Sequence, residues 1–418
     1  MSGPQLPPYS STRSPPSYSL YNLDGEETLA HTPRFHSLSH PTGTFTKHVG
    51  EITILLSEQD RDADIPSYGR QGILGGSIDF DASLKVEDVM EVILKVEGRI
   101  KLTISGSNAV TKTVRTVDDQ YKLWSSHLSA GSVAVCPRSI EFSAILPPNF
   151  KDEDGREFSL PPSYEVNFTG ISGLYVKCVY SLRAIVKTHG PLWDHKRIVS
   201  TPFIYRPRKR PPQPIIPTGF LSTVKILPEE WYQTVSVLKA RPRTKLEPID
   251  ASLFIPAVRS FGLRDHIPYH VQLSGPITSL KEFYSHAEYA SNAPPSTHNR
   301  SNNLMVTMSI SIRRQVRVEV KGQCMWKSIA IANGVFTALP PSFDSDPSLQ
   351  DPTQHLSIDW EGHVQCRDNV RVGHFDSGTI STLDFMVLSI ITKPNQGAFE
   401  SLQMIVPIHL VTDTWVEH

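Results

Sequence analysis

The fold is decided by a stretch of alternating sequence at residues 92–104, VILKVEGRIKLTI. Its even positions carry apolar residues or glycine, whereas the odd positions from Lys95 onward carry charged or polar residues. A period of two places the apolar side chains on one face of an extended strand and the polar ones on the other. The stretch therefore predicts a β-strand with one buried and one wet face.

The same alternation recurs along the rest of the chain. Its clearest runs are residues 174–187, 267–273, 306–321 and 402–410. Arg314 interrupts the apolar row of one run, which predicts a bulge or a sheet edge at that point. A fuller apolar run at residues 383–391 predicts a strand buried on both faces. Helical signals are confined to residues 228–231 and 279–285, so the chain reads as all-β with antiparallel sheets.

Composition divides the chain into an arm, two domains and a linker. Residues 1–45 are rich in Ser, Thr, Pro and His without periodicity, which predicts a disordered N-terminal arm. The run RPRKRPPQPIIP at 206–217 cannot continue a central strand, because proline lacks the N–H donor. We predict immunoglobulin-like antiparallel β-sandwiches at residues 46–207 and 218–418, joined by a Pro-rich linker at 208–217.

Charge and cysteine usage narrow the class of protein. The 418 residues include 41 Lys+Arg against 42 Asp+Glu, so no global field draws in nucleic acid, and we expect no nucleic-acid partner. The cysteines Cys136, Cys178, Cys324 and Cys366 form no CxxC pair, which is typical of reduced thiols in the cytosol. The first residues lack the apolar core of a signal peptide, and we expect a cytoplasmic protein.

Motifs for catalysis are missing from the sequence. It contains no P-loop, HExxH, G-x-S-x-G or G-x-G-x-x-G pattern, and its 16 histidines follow no metal-ligand spacing. Asp79 and Asp81 share one strand face and read as part of a wet sheet surface rather than as an acid/base pair. We therefore expect no enzyme activity, no metal and no cofactor.

Several segments, taken in order, carry a family resemblance. They are GILGGSIDF at 72–80, the strand at 89–99, FSAILPP at 142–148, LPPSY at 160–164 and the strand at 176–187. Their order and spacing are similar to those of the arrestin-like N-terminal domain, of the fungal α-arrestin type. The resemblance covers residues 45–205 well and is weaker over 215–418.

The resemblance implies two curved sandwiches whose concave faces bind cargo. Fungal members of the family are adaptors that recruit WW-domain ubiquitin ligases of the HECT type to membrane transporters, which sends that cargo into endocytosis. It therefore implies two partners, the ligase and the cytosolic tails of membrane transporters or receptors. It also implies peripheral association with the plasma membrane or endosomes, and it leaves the oligomeric state open.

Two short motifs in the arm fit WW-domain ligands. WW domains bind a polyproline II segment in an aromatic groove, and a following tyrosine fills a second pocket. The residues of the P-P-x-Y and L-P-x-Y matches are Pro15, Pro16 and Tyr18, and Leu6, Pro7 and Tyr9. Two such ligands on one arm can engage tandem WW domains. The alternative is that a Ser/Pro-rich tail produces these four-letter matches by chance.

A third match, Pro161-Pro162-Ser163-Tyr164, lies directly before a predicted strand. We expect Tyr164 to pack into the sandwich, so this match is interpreted as structural.

A basic run precedes the second half of the chain, at Arg206, Arg208, Lys209 and Arg210. Clustered cations of this kind can contact anionic lipid headgroups or acidic cargo tails. The alternative is a solvated linker, and it is favoured because short runs of charge are usually just solvated.

Other classes of protein remain as alternatives. A retromer- or coat-like structural subunit would share the fold and would need no ligase motifs at residues 6–18. An enzyme on a β-sandwich would need polar side chains that converge in a pocket, which the alternation does not indicate. An extracellular immunoglobulin-like adhesion protein is disfavoured by the missing signal peptide and by the cysteine spacing.

Overall fold

The computed structural model describes residues 42–415, apart from 62, 107–108, 127–134, 171, 191–192, 217–218, 290–304, 340–353 and 394–395. Residues 41–418 belong to one compact unit. Up to Tyr205 the strands are β1 (Gly43–Val49), β2 (Ile52–Gln59), β3 (Ser67–Tyr68), β4 (Ile73–Phe80), β5 (Val89–Ile104), β6 (Val110–Ser125), β7 (Ser139–Ile145), β8 (Asn149–Lys151), β9 (Glu157–Ser159), β10 (Tyr164–Phe168), β11 (Leu174–Thr188) and β12 (His195–Tyr205).

Beyond Tyr205 the chain adds a second set of strands and two short helices. The strands are β13 (Trp231–Leu238), β14 (Ile249–Pro256), β15 (Ser260–Gly262), β16 (Ile267–Pro276), β17 (Ala287–Tyr289), β18 (Val306–Val320), β19 (Gln323–Asn333), β20 (Val335–Ala338), β21 (His355–Val364), β22 (Ile380–Thr392) and β23 (Leu402–Val411). The helices are α1 (Phe220–Thr223) and α2 (Ile277–His286), and single 3₁₀ turns span Val86–Asp88 and Pro228–Glu230.

Apart from β8 and β9, which form a separate two-stranded sheet, the strands of the first half form two sheets that make a sandwich. One sheet has the order β1-β2-β4-β7, and the other has the order β3-β12-β11-β5-β6. Along β11, the N-terminal part pairs with β10 and the rest pairs with β12, so this strand is bonded on both edges over its length. Apolar side chains from the two sheets meet in one buried cluster that includes Ile54, Leu94 and Leu182.

The second half repeats the topology of the first. Its sheets have the orders β13-β14-β16-β21-β20 and β15-β23-β22-β18-β17, with β19 also paired to β18. Strands β13, β14, β16 and β21 take the places of β1, β2, β4 and β7, and β15, β23, β22 and β18 take those of β3, β12, β11 and β5. Even the parallel pairing of β3 with β12 recurs between β15 and β23. The chain is therefore all-β, with two immunoglobulin-like antiparallel β-sandwiches.

The alternating runs became strands close to their predicted bounds. The predicted strands at 92–104, 174–187, 267–273, 306–321 and 402–410 are β5, β11, β16, β18 and β23. Both helical signals are also confirmed, as a 3₁₀ turn and as α2. The strand β1 begins at Gly43, so residues 43–45 belong to the first sandwich rather than to the predicted arm. The rest of that arm lies outside the described residues.

Two details of the predicted strands differ from the structure. The run 383–391 lies in β22 and is buried on both faces only at its middle, since Leu383 is 41 % and Ile391 is 58 % exposed. Arg314 does not mark a sheet edge, because β18 is paired with β22 on one side and with β19 on the other. A bulge is present beside it, between Ile312 and Arg313, and the Arg314 side chain itself points inward.

The two sandwiches share buried surface. The cluster of the first sandwich also contains Val316, Val318 and Val320 from the end of β18, together with Phe375 and Ile380 from the chain entering β22. Burial of this apolar surface stabilises the arrangement of the two halves at about 25 cal/mol for each Å² removed from water. We call the region where these residues meet the first sandwich the joint.

Candidate functional site at the joint between the sandwiches

The arm motifs lie outside the described residues. Leu6, Pro7 and Tyr9, and likewise Pro15, Pro16 and Tyr18, precede the first described residue at position 42. They remain predictions.

The third proline motif is part of the joint. Pro161 and Pro162 are buried, and the carbonyl of Pro161 accepts a hydrogen bond from the Tyr180 hydroxyl. The Tyr164 ring meets the Phe375 ring edge-on at 5.5 Å between centroids, and burial raises the pKa of Tyr164 to about 12. The structural interpretation of this motif is confirmed, although Tyr164 packs against the second half rather than only within its own sandwich.

The basic segment, residues 206–210, is docked onto the end of the chain. The guanidinium of Arg208 donates through Nε to both carboxylate oxygens of Asp413, at 3.1 and 2.9 Å. The backbone N–H of Lys209 donates to Thr412 Oγ1 at 2.7 Å, and the N–H of Asp413 donates to the Lys209 carbonyl at 3.0 Å. The segment is thus a packed connection and not a freely solvated linker.

A cavity of about 340 Å³, which we call the joint pocket, opens beside the basic segment. The first sandwich contributes Leu160 and Pro162 to its apolar wall, and the second contributes Phe375. Basic side chains line the same cavity: Arg70, Arg206, Lys209, Arg371, His374 and His409. The joint pocket therefore combines an apolar wall with a concentration of positive charge.

Little negative charge balances these cations. Asp376 is the carboxylate that lines the joint pocket, and its Oδ1 accepts the N–H of Gly378 in a local turn. Among the residues described, no carboxylate lies within ion-pair distance of Arg70, Arg206, Lys209 or Arg371. Arg206 and Arg371 thus face one cavity with their charges uncompensated at close range.

This crowding of positive charge contributes to lowered pKa values at Arg206 and His409. Burial lowers the pKa of Arg206, and the nearby Arg371 lowers it further, while Asp60 acts in the opposite direction. Burial likewise lowers the pKa of His409, and so do His374 and Lys209. The ring centroids of His374 and His409 are 4.5 Å apart. An anion placed in the joint pocket would offset the repulsion among these cations.

A buried ion pair holds Val372, one of the residues that line the joint pocket, in place. Arg314 binds Asp384 through two parallel contacts, Nε to Oδ1 at 2.7 Å and Nη2 to Oδ2 at 2.9 Å. Their side chains are 3 % and 0 % exposed. Burial alone would lower the pKa of Arg314, but the Asp384 carboxylate outweighs it and the pKa is raised. The third contact, Arg314 Nη1 to the Val372 carbonyl at 2.6 Å, fixes the backbone that lines the cavity.

The loop that carries Arg371 is tied to the first sandwich. The Ser377 hydroxyl donates to the Ser159 carbonyl at 3.0 Å. Gly378 has φ +73°, and an added Cβ would come within 2.8 Å of three Phe158 ring atoms. These contacts hold residues 371–378 against the other half, so the basic residues of both halves stay on one cavity.

Glu97 illustrates a charged group of the described sheets that is already paired. Glu97 on β5 contacts Lys95, Arg99 and Arg183 at 2.9, 3.0 and 3.2 Å. Ser139 donates to Asp79, and Asp81 accepts from Ser83. Within the described part of the chain no cluster of His, Cys, Asp and Glu could hold a metal ion. None of its helices is long and apolar enough to span a membrane.

Sequence reasoning found Arg206 and Lys209 but missed Arg70, Arg371 and the Arg314–Asp384 pair. The one available signal was Arg314 itself, a charge at an inward position of an alternating strand. Comparison of the chain with protein-family models gives no match, and comparison with curated proteins gives none either.

Proposed function

We propose that the chain is an arrestin-like adaptor that links membrane-protein cargo to a WW-domain ubiquitin ligase of the HECT type. The observation that carries the proposal is the sequence Pro15-Pro16-Ser17-Tyr18, with Leu6-Pro7-Pro8-Tyr9 close by, ahead of the first strand β1. Both motifs precede β1 in the sequence, so binding of a ligase to them would use no residue of either sandwich.

Two features of the fold support the proposal. Two sandwiches of the same topology are the fold that the family resemblance implies for an adaptor that binds cargo. The third match, at residues 161–164, has both of its prolines buried in the joint. It therefore offers no polyproline surface, and ligase recruitment is assigned to the arm alone.

Binding of the full chain to a panel of WW domains tests the proposal. The double change Tyr9→Ala and Tyr18→Ala should abolish binding, because each tyrosine fills the second pocket of a WW groove. Tyr21→Ala is the matched control, since Tyr21 lies in the same stretch outside both motifs. WW binding that survives the double change contradicts the proposal and favours a coat-like subunit without a ligase partner.

A further inference from the structure

We propose that the joint pocket binds a small phosphate monoester, with the phosphoryl group between Arg206 and Arg371 and the organic part against the apolar wall. This inference goes beyond the adaptor function and does not rest on it, because the arm motifs take no part in the site.

The charge of the site fits a dianion. Four permanently cationic side chains, Arg70, Arg206, Lys209 and Arg371, line the cavity together with one carboxylate, Asp376. Like charges that share a partly buried site destabilise one another, and a dianion placed between them converts that repulsion into attraction. Guanidinium groups present a planar fork that matches phosphate oxygens two at a time, and a phosphate monoester offers one more terminal oxygen and more negative charge than a carboxylate.

The size of the site fits a small molecule. A cavity of about 340 Å³ lies at the lower end of the range for small-molecule pockets, roughly 300–1,000 Å³. Inorganic phosphate alone would leave the wall of Leu160, Pro162 and Phe375 wet. A monoester that carries a ring or a short carbon chain removes that wall from water, which adds binding free energy in proportion to the area covered.

The backbone around the site favours a small ligand over a phosphorylated peptide. An extended peptide gains affinity by pairing with a free strand edge. Here the neighbouring edges are occupied, because β12 pairs with β3 and β23 pairs with β15. The N–H groups of Arg206 and His374 already donate to the carbonyls of Tyr68 and Leu410. A peptide would find side-chain cations, but at Arg206 and His374 it would find backbone N–H groups that are already bonded.

Isothermal titration of the full chain with phenyl phosphate tests the inference. We expect measurable binding to the unchanged protein, weaker binding of inorganic phosphate, and none of benzoate at equal ionic strength. Arg206→Gln and Arg371→Gln should each weaken phenyl phosphate about tenfold or more, since each removes a charged hydrogen-bond donor. Arg371→Lys keeps the positive charge but loses the two-pronged guanidinium geometry. Its affinity for phenyl phosphate should therefore lie between that of the unchanged protein and that of Arg371→Gln.

A second readout separates loss of binding from loss of folding. Arg371 is exposed, and without ligand Arg371→Gln should unfold at the same temperature as the unchanged protein or higher, because repulsion with Arg206 is removed. Added phenyl phosphate should raise the unfolding temperature of the unchanged protein and of Arg243→Gln, whose arginine is exposed outside the cavity. It should not raise that of Arg371→Gln.

Several outcomes would overturn the inference. One is a failure of phenyl phosphate to bind the unchanged protein, and another is binding by Arg206→Gln and Arg371→Gln that is as tight as binding by the unchanged protein. A third is binding of a phosphoserine peptide or of phosphoinositide vesicles, lost in Arg206→Gln, without any binding of phenyl phosphate. That result would assign the cations of the joint to a macromolecule instead of a small metabolite.

Discussion

Arg314 and Asp384 form the most deeply buried ion pair described at the joint. Taking two charges out of water is costly, and the cost is recovered only when geometry and additional hydrogen bonds are good. Both conditions hold here, since the pair is bidentate and Arg314 also donates to the Val372 carbonyl. The pair therefore stabilises the protein only while both partners are present.

Arg314→Leu should lower the free energy of unfolding by about 3–5 kcal/mol, because it leaves the Asp384 carboxylate buried and unpaired. The double change Arg314→Leu and Asp384→Leu should recover much of that loss, since no isolated charge remains. Urea unfolding followed by circular dichroism measures both. Arg313→Leu, on the opposite face of β18, is the control and should stay within about 0.5 kcal/mol. A double variant no more stable than Arg314→Leu would contradict the account.

The sequence singles out Arg314 as unusual, but it does not indicate that Arg314 forms an ion pair with Asp384. The residue stands out locally, as a charge in an apolar row of β18. Its partner Asp384 lies 70 residues further along, inside a run that reads as apolar, and nothing local connects the two. The contact between Arg208 and Asp413 spans 205 residues. The joint pocket is assembled from such distant pairs, which is why only its basic segment was predicted.

At the scale of elements, strand periodicity was the dependable signal. Alternation is a local property, so β5, β11 and β18 could be located to within a few residues. The repeated topology of the two halves could not be predicted from the sequence, because equivalent strands need only the same apolar pattern and not the same residues. Close approaches inside a strand are likewise hidden until its neighbours are known, as Gly98 on β5 illustrates.

Gly98→Ala should destabilise the protein by about 1–3 kcal/mol through overpacking. A Cβ at Gly98 would lie 2.5 Å from Thr116 Oγ1 and 2.7 Å from the Tyr180 ring. That ring is buried and held by its hydrogen bond to the Pro161 carbonyl, so it has no room to move. Gly69→Ala meets nothing within 4 Å and serves as the control. Urea midpoints measure both, and equal midpoints would show that the neighbours of Gly98 can yield.

At the scale of the whole molecule, the shared cluster at the joint predicts that the two sandwiches unfold as one cooperative unit. Val318→Ala removes two methyl groups from the first sandwich's cluster although Val318 belongs to the second half. We expect a loss of about 2 kcal/mol that appears in amide hydrogen exchange of both β11 and β22. Val235→Ala, at an exposed position of β13, is the control. Lost protection confined to the second half would mean that the sandwiches unfold independently.

Titration of the full chain with a tandem pair of WW domains and with each single domain tests the proposed recruitment of a ligase through the arm. Two ligands, at Tyr9 and Tyr18, should bind the tandem pair at least about tenfold more tightly than either single domain, because the second contact is intramolecular. Either single change, Tyr9→Ala or Tyr18→Ala, should remove that advantage, and the double change should abolish binding. Tandem binding that is unaffected by the double change would contradict the account.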